Sequence, residues 1–260
     1  MQDTSPPTKE EIMIVTGARA LKDGDMVVVG VGLPQVAAIL ARRTHAPNLN
    51  IVLEIGIINP SPVDTPVGIA DPRIWLGSEF MGSTLDVLGS ILQRGSIDVG
   101  FLGGAQIDQY GNLNTTVLYN ESGRVRRLVG SGGANDLASL AKESIIIMRH
   151  EKRKFVPQVQ YITSPGYITG RGERAKAGLI GKGPRMVITD LCVFTFDSST
   201  RRMKLDSAHP GVTTKEVQAN TGFDIDFPEH LKTTPIPRSD ELRLLREDID
   251  PKHIYIGKNE

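Results

Sequence analysis

Met26-Val27-Val28-Val29-Gly30-Val31-Gly32-Leu33-Pro34, a segment carrying Val36, Ala37, Leu40 and Ala41 into Arg42-Arg43, and then Ile51-Val52-Leu53-Glu54-Ile55-Gly56 decide how this chain folds. The two apolar, β-branched runs suit strands of a sheet covered on both faces. Between them the apolar residues recur at helical spacing. Strand, glycine-rich turn, helix, strand is a βαβ unit, whose crossover is expected to be right-handed. The fold class that follows is α/β, an open, mostly parallel sheet with helices on both faces.

Glu54 ends the second of those strands, and a carboxylate there is costly to bury unless paired, hydrogen-bonded or used. Gly56 lets the chain turn sharply beside it. Ligands of open α/β sheets gather at the carboxyl ends of strands, which is where this acid falls. The competing reading is a structural carboxylate that caps an amide or pairs with an arginine.

The remaining chain supplies more strands and helices. Thr8 and Glu11 form a capping-box signature, with Ile12, Val15 and Ala18 at helical spacing. Asn59 to Pro72 holds Pro60, Pro62, Pro66 and Pro72 and reads as an ordered loop. A helix is expected over Ser83 to Arg94. Buried strands are expected at Val99-Gly100-Phe101-Leu102, Arg127-Leu128-Val129, Ser144 to Met148, Met186 to Thr189 and Cys192 to Phe194. Terminal helices are expected over Thr213 to Ala219 and Asp240 to Asp248. With no internal repeat, low-complexity tract or linker, residues 1–260 are expected to form a single domain.

Thirty basic and thirty acidic residues cancel, which gives no electrostatic case for nucleic acid or an anionic membrane. No apolar run approaches the length of a membrane span. Met1-Gln2-Asp3-Thr4-Ser5-Pro6-Pro7 has neither the charged nor the apolar region of a signal peptide. The single cysteine, Cys192, excludes an internal disulfide and fits a cytoplasmic location, and its apolar neighbours mark it as a buried hydrophobe.

Three glycine-rich turns, Gly30–Pro34, Gly103–Gln106 and Gly130–Asp136, each follow an expected strand. If those strands share a sheet, the turns converge on the edge that holds Glu54. Their exposed N–H groups could hold an anion or a developing oxyanion. None matches the phosphate-binding GxxxxGK[ST] pattern, and Gly130-x-Gly132-Gly133 lacks the final spacing of a dinucleotide fingerprint. No GxSxG elbow is present. His150 lies in the charge run Arg149-His150-Glu151-Lys152-Arg153-Lys154, whose default reading is a solvated face or a subunit contact. His45, His209, His230 and His253 show no ligand spacing, so no metal site is expected. Asp108 and Asp136 are candidates for acid–base work with Glu54, although an aspartate after a glycine turn is commonly a cap.

Gly103-Gly104-Ala105-Gln106-Ile107-Asp108 with Tyr110-Gly111-Asn112, followed by Gly130-Ser131-Gly132-Gly133-Ala134-Asn135, resembles the family I coenzyme A transferases, of the glutaconate β-subunit type. The likeness continues through Gly32-Leu33-Pro34, Ser61-Pro62-Val63, His150 to Arg153, Thr163-Ser164-Pro165-Gly166 and Thr221-Gly222-Phe223-Asp224, and so covers nearly the whole chain. The resemblance implies that Glu54 is a nucleophile working by ping-pong chemistry. It would attack an acyl-CoA, form an acyl–glutamyl anhydride and then a glutamyl–CoA thioester, which an incoming carboxylate opens. Backbone N–H groups of Gly104, Ala105, Gly132 and Gly133 are the natural oxyanion donors. Gly32, Gln106, Ala134 and Asn135 complete the implied acyl-CoA-binding set.

The resemblance further implies no permanently bound cofactor, a CoA thioester as substrate, and an α subunit in a hetero-oligomer, α2β2 or higher. The acyl group would be dicarboxylic or branched. Many members read Ser-Glu-Asn-Gly at the nucleophile and glutaconate-type subunits Glu-Ser-Gly, whereas this chain has Leu53-Glu54-Ile55-Gly56. Ile55 cannot donate a side-chain hydrogen bond, so the acyl preference or the reaction itself can differ. Hydrolysis or decarboxylation of an acyl-CoA is the alternative within enzymes, and a non-catalytic binding subunit is the alternative outside them. Relatives with those other activities lack the glutamate, so its retention favours transfer.

Overall fold

A computed structural model describes residues 5–62, 65–69, 71–120 and 122–257. Met1–Thr4 of the N-terminal segment and Val63 of the Ser61-Pro62-Val63 motif lie outside them. The chain resolves into two compact units, one formed by the residues up to Phe101 together with those from Pro235 onward, the other by Leu102–Thr234.

The first unit opens with α1 (Lys9–Arg19), held by the predicted capping box: Glu11 N–H donates to Thr8 Oγ1 at 3.1 Å, and Thr8 N–H donates to Glu11 Oε2 at 2.8 Å. The βαβ unit then appears as β1 (Met26–Val28), α2 (Leu33–Arg43) and β2 (Asn50–Leu53). The two strands pair in parallel, Val28 opposite Val52. Their side chains Val27, Val28, Ile51, Val52 and Leu53 are almost fully buried. Beyond β2 the chain doubles back as β3 (Ile57–Ile58), antiparallel to it, and β4 (Phe80–Met81) adds antiparallel to β3. β5 (Val99–Leu102) pairs with β1 in parallel on its other side.

The sheet order in this unit is therefore β5-β1-β2-β3-β4. Parallel pairing is confined to β5-β1-β2, and the hairpin strands make the sheet mixed. The Pro-rich loop ends in a 3-10 turn, Pro72–Trp75, capped by Asp71, which accepts the Arg73 N–H at 3.1 Å. The helix expected over Ser83 to Arg94 is present at Leu85–Leu92, wound as a π-helix.

In the second unit, β6 (Gln106–Ile107) and β7 (Leu113–Asn114) form one small ribbon, and β8 (Val117–Tyr119) with β9 (Val125–Arg127) another. α3 (Ala134–Leu140) leads into β10 (Glu143–Ile147). After α4 (Glu173–Lys176) come β11 (Pro184–Ile188), β12 (Cys192–Phe196) and β13 (Met203–Ala208), then α5 (Thr214–Ala219) and β14 (Lys232–Thr233). They run in the order β14-β13-β12-β11-β10, with β10–β11 and β13–β14 parallel and the pairs between them antiparallel. The expected strand before Gly130 is displaced: β9 covers Val125–Arg127, is wholly exposed, and pairs with β8 rather than entering a covered sheet. Its arginines keep it in water.

The chain returns to the first unit with α6 (Ser239–Arg243), continued by a π-helical turn at Leu244–Ile249. Arg246 of that turn reaches Glu11 of α1 through paired hydrogen bonds of 2.7 and 2.8 Å. Among the described residues no helix is long and apolar enough to cross a membrane.

Candidate functional site

Glu54 occupies the tip of the β2–β3 hairpin. Leu53 and Ile57 are directly paired, and the Gly56 N–H donates to the Leu53 carbonyl at 3.0 Å, so Glu54 and Ile55 are the central residues of a tight turn. Gly56 closes it at φ 107°, where a glycine is the favoured residue. The strand that ends in this acid is not followed by a crossover helix but by a hairpin. Glu54 and Ile55 are each half-buried between the buried Leu53 and the buried Gly56. The neighbouring parallel strand β1 ends at Val28, and Gly30-Val31-Gly32 carries the chain into α2. Gly32 and Glu54 thus both follow the carboxyl ends of adjacent parallel strands. Gly32 has φ 124° and serves as the α2 N-cap without a side-chain hydrogen bond, so the positive end of that helix lies at the same sheet edge.

The other glycine turns belong to the second unit, and there hydrogen bonds gather them. The Ala105 N–H donates to the Asn114 carbonyl at 2.9 Å, and the Gly130 N–H donates to the next carbonyl, Thr115, at 2.8 Å. Two consecutive carbonyls after β6–β7 therefore hold both turns. Asn135, at the start of α3, donates its side-chain N–H to the Thr163 carbonyl at 2.7 Å, while Thr163 Oγ1 accepts the Thr115 N–H at 2.9 Å. Ala134 N–H is tied to the Ser131 carbonyl at 3.0 Å. Gln106 is buried and its Oε1 accepts from Asn114 Nδ2 at 2.9 Å. Of the expected oxyanion donors, the N–H groups of Gly104 and Gly132 meet no acceptor among the described residues. That of Ala105 is committed to the fold. Gly133 is buried at the N-terminus of α3.

Packing corrects the expectations for Asp108 and His150. Asp108 is not poised for acid–base work: one carboxylate oxygen accepts the N–H groups of Tyr110 at 3.0 Å and Asn112 at 3.1 Å, which closes the turn between β6 and β7. Burial raises its pKa against those hydrogen bonds. Asp136 sits in the first turn of α3, as a helix-start acid does. His150 is not on a solvated face. It is 4% exposed, stacks on Phe155 at 4.1 Å, and pairs its Nε2 with Thr221 Oγ1 at 2.9 Å. Desolvation brings its pKa down to about 4. Its neighbours Arg149, Lys152 and Arg153 are exposed, which is why the charge run hid it.

Cys192 is fully buried, and burial pushes its thiol up to about 12, as a structural cysteine requires. Asn112, Asn114, Thr115 and Thr163 went unnoticed as functional candidates in the sequence. Asn112 and Thr163 stand in motifs of the family resemblance and Asn114 and Thr115 follow one, but each acts by holding another segment, which no local signal shows.

Residues 10–220 match the coenzyme A transferase family. The chain is 38% identical to the B subunit of glutaconate CoA-transferase from Acidaminococcus fermentans over 98% of its length and 97% of that protein's. It is 42% identical to the B subunit of 3-oxoadipate CoA-transferase from Pseudomonas knackmussii, covering 91% of each chain. The crystal structure of the Acidaminococcus fermentans glutaconate CoA-transferase superposes with a TM-score of 0.87 at 36% identity, over 97% of this chain and 98% of that one. The decarboxylase AibA/AibB superposes with a TM-score of 0.81 at 26% identity, over 96% and 97%. The chain belongs to the coenzyme A transferase family. Two of the relatives it resembles along most of its length are B subunits of CoA-transferases, one of glutaconate and one of 3-oxoadipate CoA-transferase.

Proposed function

We propose that this chain moves CoA between a dicarboxylic or branched acyl-CoA and a carboxylate, through a glutamyl-CoA thioester on Glu54. The observation that carries this reading is the β2–β3 hairpin, which presents a half-buried carboxylate at a turn tip between a buried leucine and a left-handed glycine. A Glu54 carboxylate oxygen adds to the thioester carbonyl, the C–S bond breaks and CoA thiolate leaves. The thiolate then adds to the glutamyl carbonyl of the anhydride and expels the first carboxylate. The incoming acid attacks the glutamyl thioester, thiolate leaves once more and takes the new acyl group, and Glu54 is regenerated. No water, proton or electron is consumed overall, which is why a carboxylate nucleophile conserves the acyl activation.

Each addition places negative charge on a former carbonyl oxygen. Backbone N–H groups are the donors such an oxyanion needs, and loss of one such donor costs roughly 3 kcal/mol of transition-state stabilisation. Ile55 beside the nucleophile offers no side-chain hydrogen bond and leaves backbone donors to supply that role. The exposed apolar side chains Trp75, Leu76, Phe80, Met81 and Leu85 of the first unit support a covering α subunit, since patches of this kind mark protein contacts. The assembly we propose is α2β2 or higher, in the reducing cytoplasm that a lone cysteine suits.

The test is incubation of the co-expressed complex with acyl-CoA alone. A CoA adduct on the Glu54 peptide, lost on borohydride treatment and absent in Glu54→Ala, is the expected result. Steady release of free acid or carbon dioxide without any acceptor would instead establish the second reading, an acyl-CoA hydrolase or decarboxylase, which the likeness to AibA/AibB favours. No turnover and no adduct, with assembly unaffected by Glu54→Ala, would leave a non-catalytic binding role.

A further inference from the structure

Two hydroxyls of the second unit, Thr115 Oγ1 and Ser164 Oγ, are shut away from solvent with no hydrogen-bond partner among the described residues. Ser164 as a whole is 1% exposed. Buried polar groups of folded proteins are nearly always satisfied, and one that is not calls for an explanation, a bound water, ion or ligand group among them. The backbone around them fixes where they point. Leu113 and Ser164 face each other in an antiparallel bridge, with Leu113 N–H donating to the Ser164 carbonyl at 2.9 Å and Ser164 N–H returning to the Leu113 carbonyl at 3.1 Å. Residues directly opposed in this way project their side chains to the same face.

Side chains alternate along an extended chain, and that alternation, carried one residue past the end of β7 at Asn114, would bring Thr115 to the Leu113 face and leaves Asn114 on the other. Asn114 bears this out, since its Nδ2 bonds Oε1 of Gln106, its direct partner across β6–β7. The Leu113 face is the one covered by the Gly103–Ala105 turn: a β-carbon on Gly104 would lie 3.1 Å from Leu113 Cδ2 and 3.5 Å from Leu113 Cβ. Thr115 and Ser164 therefore flank Leu113 beneath the turn whose Gly104 N–H is uncommitted. The donors gathered here are neutral. Arg174, the nearby buried guanidinium, is spent on the carbonyls of Gly181, Pro165, Gly166 and Ala138. Neutral hydroxyl and amide donors can hydrogen-bond a carbonyl or carboxylate oxygen.

We propose that Thr115 and Ser164 are specificity-determining residues whose hydroxyls bind the distal carboxylate of a dicarboxylic acyl-CoA under the Gly104 turn. The proposal rests on the transferase reading for its substrate but not on Glu54 as nucleophile. A carboxylate seated there fills both orphaned hydroxyls at once, and an acyl chain that ends in a methyl group leaves them as they are.

The experiment compares glutaryl-CoA with pentanoyl-CoA, equal in carbon number, on the co-expressed complex carrying Thr115→Val, Ser164→Ala or both. Turnover gives kcat and KM, and calorimetric titration gives Kd whether or not the complex turns over. Each single variant is expected to weaken glutaryl-CoA about tenfold, a loss of one good hydrogen bond to a charged group, with pentanoyl-CoA unchanged. Thr115→Ser, which keeps the hydroxyl, is expected to restore wild-type selectivity. An equal loss for both thioesters, or selectivity that does not move, overturns the proposal and leaves the hydroxyls to an ordered water. The Glu54 adduct is followed in the same samples. Selectivity loss without any adduct would refute the nucleophile while the subsite stands, and an intact adduct with unmoved selectivity would refute the subsite alone.

Discussion

The Gly82 N–H donates to the Gly56 carbonyl at 2.8 Å, and a β-carbon built on Gly56 would lie 2.4 Å from the Gly82 carbonyl carbon and oxygen. Backbone meets backbone at this point, so the hairpin that presents Glu54 rests directly on the chain leaving β4. Gly56→Ala is expected to destabilise the chain by about 3 kcal/mol or more, because left-handed strain and a clash with an immovable backbone add. In the complex this corresponds to a fall in melting temperature of roughly 6–12 °C, with transferase activity lost in proportion to the displaced turn. Wild-type melting and activity would refute the description of the hairpin.

Glu11 and Arg246 bind each other with both side chains at most 5% exposed, joining α1 to the turn after α6. A buried pair is weak evidence of net stability, but removing one partner strands the other charge. Arg246→Met is expected to cost about 3–5 kcal/mol, seen as a shift in the denaturation midpoint, and the double change Glu11→Leu with Arg246→Met is expected to recover much of that loss. Additive losses in the double variant would contradict it.

His150 titrates at about 4 in the folded chain against an ordinary 6.5, because burial disfavours its charged form. The unfolded chain therefore binds one more proton than the folded one between those values. Its contribution to stability is complete above pH 6.5 and is lost as the pH falls toward 4, by at most about 3 kcal/mol. Denaturant titrations at pH values of about 7, 6 and 5 are expected to show that decline in the wild type and a shallower one in His150→Gln. Equal slopes would place the proton elsewhere.

Cys192, with its thiol raised to about 12 and no exposed surface, is expected to ignore a thiol-specific disulfide reagent in the native state and to react fully once denatured. Rapid modification without denaturant would show that β12 opens locally.

The βαβ unit was legible because β-branched runs and helical periodicity are local properties of the chain. The Thr8–Glu11 capping box is likewise confined to one turn. What failed was the surrounding pattern. Val125–Arg127 has strand composition, but whether a strand enters a covered sheet depends on which distant segment packs over it, and this one stays exposed. The run Arg149 to Lys154 looks uniformly solvated, yet one turn of irregular backbone sends His150 inward onto Phe155. Asp108 resembles a free acid beside a glycine motif until its N–H partners at Tyr110 and Asn112 are seen.

For the candidate site the division is similar. Residue identity alone determined that Glu54 follows a buried strand, that Gly56 turns the chain beside it, and that glycine-rich segments follow Leu102 and Val129, since composition and spacing are written along the chain. Tertiary structure decided that Glu54 stands on a hairpin rather than before a crossover helix, that the N–H groups of Gly104 and Gly132 meet no acceptor among the described residues while Ala105 gives its own to Asn114, and that Ser164 lies opposite Leu113. Each of these depends on which hydrogen-bond partner a distant segment brings, and pairing between segments far apart in sequence leaves no local periodicity to read.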